Sequence, residues 1–122
     1  MTENFSYRNL QVYQQSKDFV LFVYKLLHQF PKEETYALCD QLRRSSVSVP
    51  SNIVEGMSRT SLKEQLHFIE IAYGSLCEAM CQLELSHELR YISEEQLKQA
   101  EEKVTSIAKM LSGLKRKRTT HP

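Results

Sequence analysis

Cysteine and histidine side chains are the groups in this chain that could hold a metal or act as nucleophiles. Cys77 and Cys81 stand four positions apart, so on a helix their thiols would share one face and could form half of a metal site. The possible further ligands, His67 and His87, would project about 80° to either side of Cys77. Because that spread argues against a shared site, we interpret these cysteines and Cys39 as free, buried hydrophobic side chains, with no metal and no cofactor.

No other combination of residue types indicates catalysis. No cysteine has a histidine within one helical turn, and no serine stands in the sequence context of an activated nucleophile. The chain also lacks a glycine-rich phosphate loop and the carboxylate–histidine pairs of di-iron bundles. We therefore expect a protein that is not an enzyme.

The elements that would position these side chains are helices. The chain has 122 residues, of which 41% are hydrophobic and 25% charged, as in an ordinary globular domain. Three glycines and three prolines are too few for the frequent turns of a sheet protein. The polar start of the chain and the lack of an apolar stretch of about 18 residues predict a cytoplasmic protein with free thiols and no membrane partner.

Local signals divide the chain into four helices. Phe30-Pro31 ends the first, and Gly56 suits the end of the second. Capping boxes begin the third at Ser61 and the fourth at Ser93. The predicted helices span about residues 6–29, 33–56, 61–90 and 93–115.

Leucines and isoleucines in the last two helices recur at alternating steps of four and three, which is typical of bundle packing. With connections this short, we predict an all-α, antiparallel up-down-up-down four-helix bundle over residues 1–114. Residues 115–122 would form a basic, frayed C-terminal tail.

The first helix contains six consecutive apolar residues, "FVLFVY", at positions 19–24. A helix that is apolar all round must be covered all round, whereas one core covers only one face. We therefore expect the outward face to contact a second copy of the chain. The candidates for a subunit or helix interface in this segment are Phe19, Phe22, Val23 and Tyr24.

The second helix carries a proline and small polar residues in the stretch "RRSSVSVPSNIVEG", at positions 43–56. Helical spacing of apolar residues continues through Pro50, which predicts a kinked but continuous helix. Its serines would allow another backbone to approach, with Gly74 and Ser75 as the counterpart.

Two further side chains of this stretch, Asn52 and Glu55, would hydrogen-bond to another helix or subunit if they are partly buried. The candidates for a helix or subunit interface are therefore Pro50, Asn52, Glu55, Gly74 and Ser75.

The stretch from residue 36 to residue 83 resembles the four-helix-bundle family encoded by intervening sequences in bacterial 23S rRNA genes. That family has the recurring pattern Q-x-x-R-A-A-x-S-x-P-x-N-I-A-E-G, followed by an arginine and later by A-x-G-S-x-x-E. Ser45, Ser46 and Val54 replace its usual alanines, and the resemblance extends over about residues 7–114. The matching residues are Tyr36, Leu38, Gln41, Arg44, Ser48, Pro50, Asn52, Ile53, Glu55, Gly56, Arg59, Ala72, Gly74, Ser75 and Glu78.

The resemblance implies a homo-oligomer, a ring of five protomers, without established enzymatic activity. It also implies kinship with the accessory variability proteins of diversity-generating retroelements. Those proteins are similar in fold and bind a reverse transcriptase and its template RNA. RNA and a reverse transcriptase are thus the partners that the resemblance suggests.

Positive charge is concentrated at the end of the chain. The formal net charge is +1, and without Lys115, Arg116, Lys117 and Arg118 the chain has 12 basic against 15 acidic residues. In a ring, copies of these residues, or of Arg43, Arg44 and Arg59, would gather on one rim and attract phosphates.

Two alternatives to such a rim stay open. The terminal cluster could be only a solvated helix end, and Arg43 and Arg44 could pair with Asp40 or Glu55. The sequence thus favours an oligomeric adaptor that binds RNA, with or without a reverse transcriptase. The alternative is a purely protein-binding or structural homo-oligomer with no nucleic-acid role.

Overall fold

The computed structural model of the protein describes residues 5–119 and contains four α-helices. They are α1 (Gln11–Leu27), α2 (Leu38–Met57), α3 (Leu62–Glu88) and α4 (Glu94–Thr119), with 3-10 turns at Ser6–Asn9 and Lys32–Glu34. Each helix packs against the next in the chain, and α1 also packs against α4. The prediction of an all-α four-helix bundle is confirmed, and no strand occurs among residues 5–119.

Hydrogen bonds between α1 and α4 show how the bundle closes. Near the start of α1, Gln15 accepts a bond from Ser106 at 2.8 Å. Beyond its end, Gln29 exchanges amide bonds with Gln96, near the start of α4. As α1 is followed forwards, α4 is followed backwards, so these two helices are antiparallel.

A continuous apolar core lies between the four helices. Its side chains come from one face of each helix, at the spacing that the seams of α3 and α4 predict. The largest fully buried members are Phe19, Val23, Leu42, Val49, Ile53, Ile69, Leu76, Leu83, Ile107 and Leu111.

The second helix begins at Leu38 and not near residue 33. Glu34 lies before this helix, and its side chain accepts a hydrogen bond from the first turn. One carboxylate oxygen of Glu34 accepts the backbone N–H of Leu38 at 3.2 Å. The other accepts the hydroxyl of Tyr91 at 2.8 Å. This hydrogen bond raises the pKa of Tyr91 above its ordinary value.

Small polar side chains join α2 to α3. The Ser48 and Ser75 hydroxyls lie 2.8 Å apart, and the Ser45 hydroxyl donates to the buried Gln82 amide oxygen at 2.7 Å. The Gln82 amide nitrogen in turn lies 3.2 Å from a carboxylate oxygen of Glu78.

Helix α2 is continuous at Pro50, because the chain is helical on both sides of this proline. The kink at that position stays a prediction.

Two residues beyond the end of helix α3, the backbone adopts the left-handed conformation. Arg90 has a φ of 68°, its N–H donates to the His87 carbonyl, and the N–H of Tyr91 donates to the Ser86 carbonyl, both at 2.9 Å. This is the hydrogen-bond pattern of a Schellman motif, whose left-handed position favours glycine.

Replacing Arg90 with glycine should therefore raise the free energy of unfolding by about 1 kcal/mol, because glycine adopts this φ without a Cβ penalty. Urea unfolding followed by circular dichroism would measure the change. Arg90→Ala is the matched control: it removes the same charge but keeps the Cβ, so it should leave stability near that of the wild type. Equal stabilisation by both substitutions would contradict a backbone effect.

Two helical glycines have opposite surroundings. A Cβ at Gly56 would lie 3.2 Å from the Phe68 Cβ and 3.3 Å from the Gln65 carbonyl oxygen, whereas a Cβ at Gly74 would meet nothing within 4 Å. Gly56 thus allows α2 to approach α3, and Gly74, although predicted to do so, does not.

The Gly74→Ala variant should consequently be more stable than the wild type by about 0.5–1 kcal/mol, the usual gain from removing glycine inside a helix. Gly56→Ala should instead be less stable by about 1 kcal/mol, because overpacking exceeds the small gain near a helix end. Thermal unfolding of the two variants in parallel would test this pair. A Gly56→Ala protein that melts above the wild type would show that α2 and α3 can separate at little cost.

Candidate nucleic-acid interface

The end of α4 lies against the turn that joins α2 to α3. Arg118 donates from Nε to the Gln65 side-chain oxygen at 3.1 Å, and its Nη2 lies 3.2 Å from the Met57 sulfur. The Gln65 amide nitrogen donates to the Arg59 carbonyl at 2.7 Å. Gln65 therefore joins the end of α4 to this turn through both ends of its amide.

These contacts correct the prediction of a frayed tail. Residues 115–119 continue α4 as a helix, and Arg118 is half-buried against its neighbours. The amide and sulfur partners on α2 and α3 replace the water that a frayed end would contact. The last three positions of the predicted tail, residues 120–122, lie outside the described residues.

Arg59 is held in place from two sides. Its Nη2 lies 3.0 Å from a carboxylate oxygen of Glu55, and its guanidinium stacks 5.0 Å from the centre of the Phe68 ring. Its Nε atom is buried and has no hydrogen-bond partner among the described residues. The Arg59 side chain as a whole is 40% exposed, so an anion could reach it.

Six basic residues from this turn and from α4 lie at one end of the bundle, which we call the basic end. Three carboxylates accompany them: Glu55, Glu64 and Glu70. These nine side chains carry a formal charge of +3, whereas the whole chain, with 16 basic and 15 acidic residues, carries +1. The basic residues are Arg59, Lys63, Lys115, Arg116, Lys117 and Arg118.

The ion pairs at the basic end leave this charge available. Lys115 contacts Glu70 at 3.0 Å with about half of each side chain exposed, and the Arg59–Glu55 pair is similarly exposed. Exposed pairs of this kind contribute about 0–1 kcal/mol each. A phosphate could therefore displace the carboxylates at little cost.

Arg43 and Arg44 do not join the basic end, because they lie near the start of α2, at the opposite end of the bundle. Arg43 donates to the Thr35 carbonyl at 2.8 Å and so fastens the segment that precedes α2. Arg44 pairs with Asp40 at 3.4 Å, as one of the alternatives predicted, but this arginine is 80% exposed and not internal.

The apolar candidates of α1 separate into two groups. Phe19 and Val23 have no solvent exposure and belong to the core, so of the two alternatives for them, a helix interface and a subunit interface, they lie at a helix interface. Phe22 is half-buried, with the Lys103 ammonium 5.2 Å from its ring centre. Tyr24 is exposed, and Leu21, which sequence reasoning did not single out, is 63% exposed.

The remaining interface candidates lie on α2 and α3. Asn52 donates to the carbonyl and to the hydroxyl of Ser48 on its own helix, and Ser48 in turn contacts Ser75 on α3. Asn52 thus reaches α3 only through a serine, while Glu55 pairs within its own turn of helix with Arg59. Gly74 is exposed and Pro50 half-buried.

The cysteines differ from the prediction that all three are buried. Cys39 is buried, whereas Cys77 and Cys81 are exposed on α3, because α4 covers only one side of that helix. Burial raises the pKa of the Cys39 thiol, against the opposing effect of Arg43. Residues 5–119 contain no group of three or more side chains suited to a metal ion.

A groove of about 650 Å³ runs between α3 and α4. Tyr73, Met80, Val104 and Ala108 contribute apolar atoms to it, and the exposed thiols belong to its lining, as do Glu84 and Lys109. We call it the α3–α4 groove.

Within the part of the chain that is described, no helix is long and apolar enough to cross a membrane.

An antiparallel arrangement of four helices with one basic end defines the class of this protein as a small four-helix bundle. Within that class, the chain belongs to the 23S rRNA-intervening sequence protein family, whose model matches residues 8–113. No match was found among curated proteins.

A solved structure with the same fold comes from Bacteroides thetaiotaomicron VPI-5482 and is described as a protein of unknown function from the S23 ribosomal protein family. It superposes with a TM-score of 0.76 at 26% sequence identity, and the match covers 85% of this chain and 97% of that one.

The three thiols should differ sharply in reactivity. At a dilution where copies of the chain do not associate, a thiol reagent such as dithionitrobenzoate should modify Cys77 and Cys81 of the folded protein quickly, and Cys39 only after unfolding, because that thiol is both buried and less ionised. A Cys77→Ser, Cys81→Ser double variant should lose the whole fast phase. Fast reaction of a thiol in that double variant would show that the start of α2 opens readily.

Proposed function

We propose that this protein is a non-enzymatic, self-associating helical adaptor that binds structured RNA through its basic end. The observation that carries the proposal is the docking of the last turn of α4 onto Gln65 and Met57. This contact places the basic residues of α4 beside Arg59 on a rigid surface, in place of a mobile tail. Membership of the 23S rRNA-intervening sequence protein family is consistent with an RNA-related role.

The chemistry of the basic end suits phosphate recognition without sequence readout. Two arginines provide planar guanidinium groups, and three lysines along with Arg116 add exposed cations. Such contacts depend on the spacing of backbone phosphates, which a folded RNA fixes and a flexible strand does not. Affinity should therefore fall steeply with salt and depend little on base sequence.

Self-association would multiply this charge. A ring of five copies, which the resemblance implies, would place five basic ends on one rim if the protomers run parallel. Linked weak sites of this kind bind far more tightly than one site alone. A reverse transcriptase is the protein partner that the same resemblance suggests, and retention of a purified reverse transcriptase on the immobilised adaptor would test it.

The exposed side chains of Leu21 and Tyr24 favour the alternative role, that of a homo-oligomer which binds only proteins. In that case the basic end would serve solubility alone. The two roles differ in whether neutralising the basic end changes RNA binding.

Replacing Arg116 and Lys117 with glutamine should weaken binding of a structured RNA by about tenfold or more and reduce the slope of log affinity against log salt by about two. Both side chains are exposed, so the bundle should stay intact, as circular dichroism would verify. Fluorescence anisotropy at a series of potassium chloride concentrations would give affinity and slope.

The matched control replaces Lys32 and Lys98 with glutamine, since this pair has the same charge change at exposed positions away from the basic end. The control should bind like the wild type. Equal losses in both variants would indicate attraction by net charge alone. No RNA binding by the wild type would exclude the RNA role and leave the protein-binding alternative.

A further inference from the structure

Two surfaces of the bundle have the properties of an interface and no partner within the described chain. One is the outward face of α1, where the apolar side chains of Leu21 and Tyr24 are exposed. We call it the α1 ridge. The other is concave, the α3–α4 groove. A protruding apolar ridge and an apolar groove of the same chain are complementary in shape and polarity.

The two surfaces lie on opposite sides of the bundle. Phe22 and Gln15 face α4, since they contact Lys103 and Ser106 respectively. Tyr24 stands about 160° around α1 from Phe22, which directs it towards the α2 side. Because α1 and α2 form the edge opposite to α3 and α4, one copy can use both surfaces at once, each with a different neighbour.

The heights of the two surfaces along the bundle also agree. Contacts Lys115–Glu70 and Arg118–Gln65 fix the register of α4 against α3, and the glutamine contacts described above fix α1 against α4. At a rise of about 1.5 Å per residue, Leu21 lies within about 5 Å of the heights of Met80 and Val104. A rotation about an axis parallel to the bundle, without translation, would bring ridge and groove together.

The charged residues beside the two surfaces are complementary when the two copies of the chain run parallel. On α1, Asp18 precedes Leu21 and Lys25 follows it, and both are exposed. At the groove, Glu84 lies at nearly the height of Lys25, and Lys109 lies within about 8 Å of the height of Asp18, a gap that a lysine side chain can largely span. Protomers that run parallel would therefore pair opposite charges on both sides of the apolar contact.

We propose that the α1 ridge of one copy seats in the α3–α4 groove of the next copy, in a parallel, head-to-tail contact. Such a heterologous interface uses two different surfaces and generates a closed ring when its rotation closes. Parallel protomers place every basic end on the same rim. The inference rests on the self-association within the proposed function, but it does not require RNA binding.

The native cysteines of the groove make the contact testable by cross-linking. In a Leu21→Cys variant, a short bis-maleimide should join the new thiol to Cys77 or Cys81 of the neighbouring copy. A head-to-tail contact predicts a ladder of covalent species that extends beyond the dimer on a denaturing gel. The same variant carrying Cys77→Ser and Cys81→Ser should lose the ladder, and Leu62→Cys, at an exposed leucine at the start of α3, should not form one.

A second measurement does not depend on cross-linking chemistry. Leu21→Glu should reduce the sedimentation mass of the assembly towards the 14.3 kDa of one chain, because a carboxylate would be buried in the groove. Leu62→Glu, with the same change elsewhere, should leave the mass unchanged.

Four results would overturn the proposal. Dimers that persist without the groove cysteines would indicate contact between two α1 ridges, and dimers of the wild-type protein through those cysteines would indicate contact between two grooves. A monomeric wild-type chain would exclude self-association altogether. If the Leu21→Glu variant assembles like the wild type, the interface between copies does not include the α1 ridge. Arg116 belongs to the groove lining as well as to the basic end, but none of these variants changes Arg116 or Lys117, so their results are separable from a failure of RNA binding.

Discussion

The close packing of α2 against α3 is the constraint on which the rest of the structure depends. It is possible because the facing positions carry small side chains, including Ser48, Ser75 and Gly56, whose added Cβ would approach Phe68 to 3.2 Å. Hydroxyl and amide groups in this interface satisfy one another, as Ser45 and Gln82 do, so polar atoms are buried without the cost of losing their hydrogen bonds. The turn that leads from one helix to the other is thereby fixed in position.

That fixed turn determines where charge accumulates. Gln65, in the second turn of α3, bonds both to the Arg59 carbonyl and to Arg118 at the far end of α4. Two segments that are more than 50 residues apart in sequence thus form one positively charged surface. This surface carries a formal charge of about +3, whereas the whole chain carries +1.

The proposed assembly gives different parts of the bundle different roles. The buried thiol, Cys39, lies at the start of α2, and the exposed thiols lie at a groove whose described lining has no group of three side chains placed to hold a metal ion. In the proposed assembly, one side of the protomer contributes the α1 ridge and the opposite side the groove, while the basic end is left free. Leu21 then serves assembly alone and Lys117 serves RNA binding alone, whereas Arg116 belongs to both the basic end and the groove.

The sequence by itself determined the helices and their inward faces, because capping and apolar periodicity are local properties. Ser93 and Gln96 cap each other as their spacing predicts. Ile107 and Leu111 are buried on one seam of α4. The sequence left open which part of "FVLFVY" faces outward, because six consecutive apolar residues carry no periodic signal. Only packing against α2 and α4 buries Phe19 and Val23 and leaves Leu21 exposed. The tertiary structure likewise decided that Arg118 docks on Gln65 and that Cys77 is exposed. These outcomes depend on which helices are neighbours and on their register, and both are set by contacts between residues far apart in the chain.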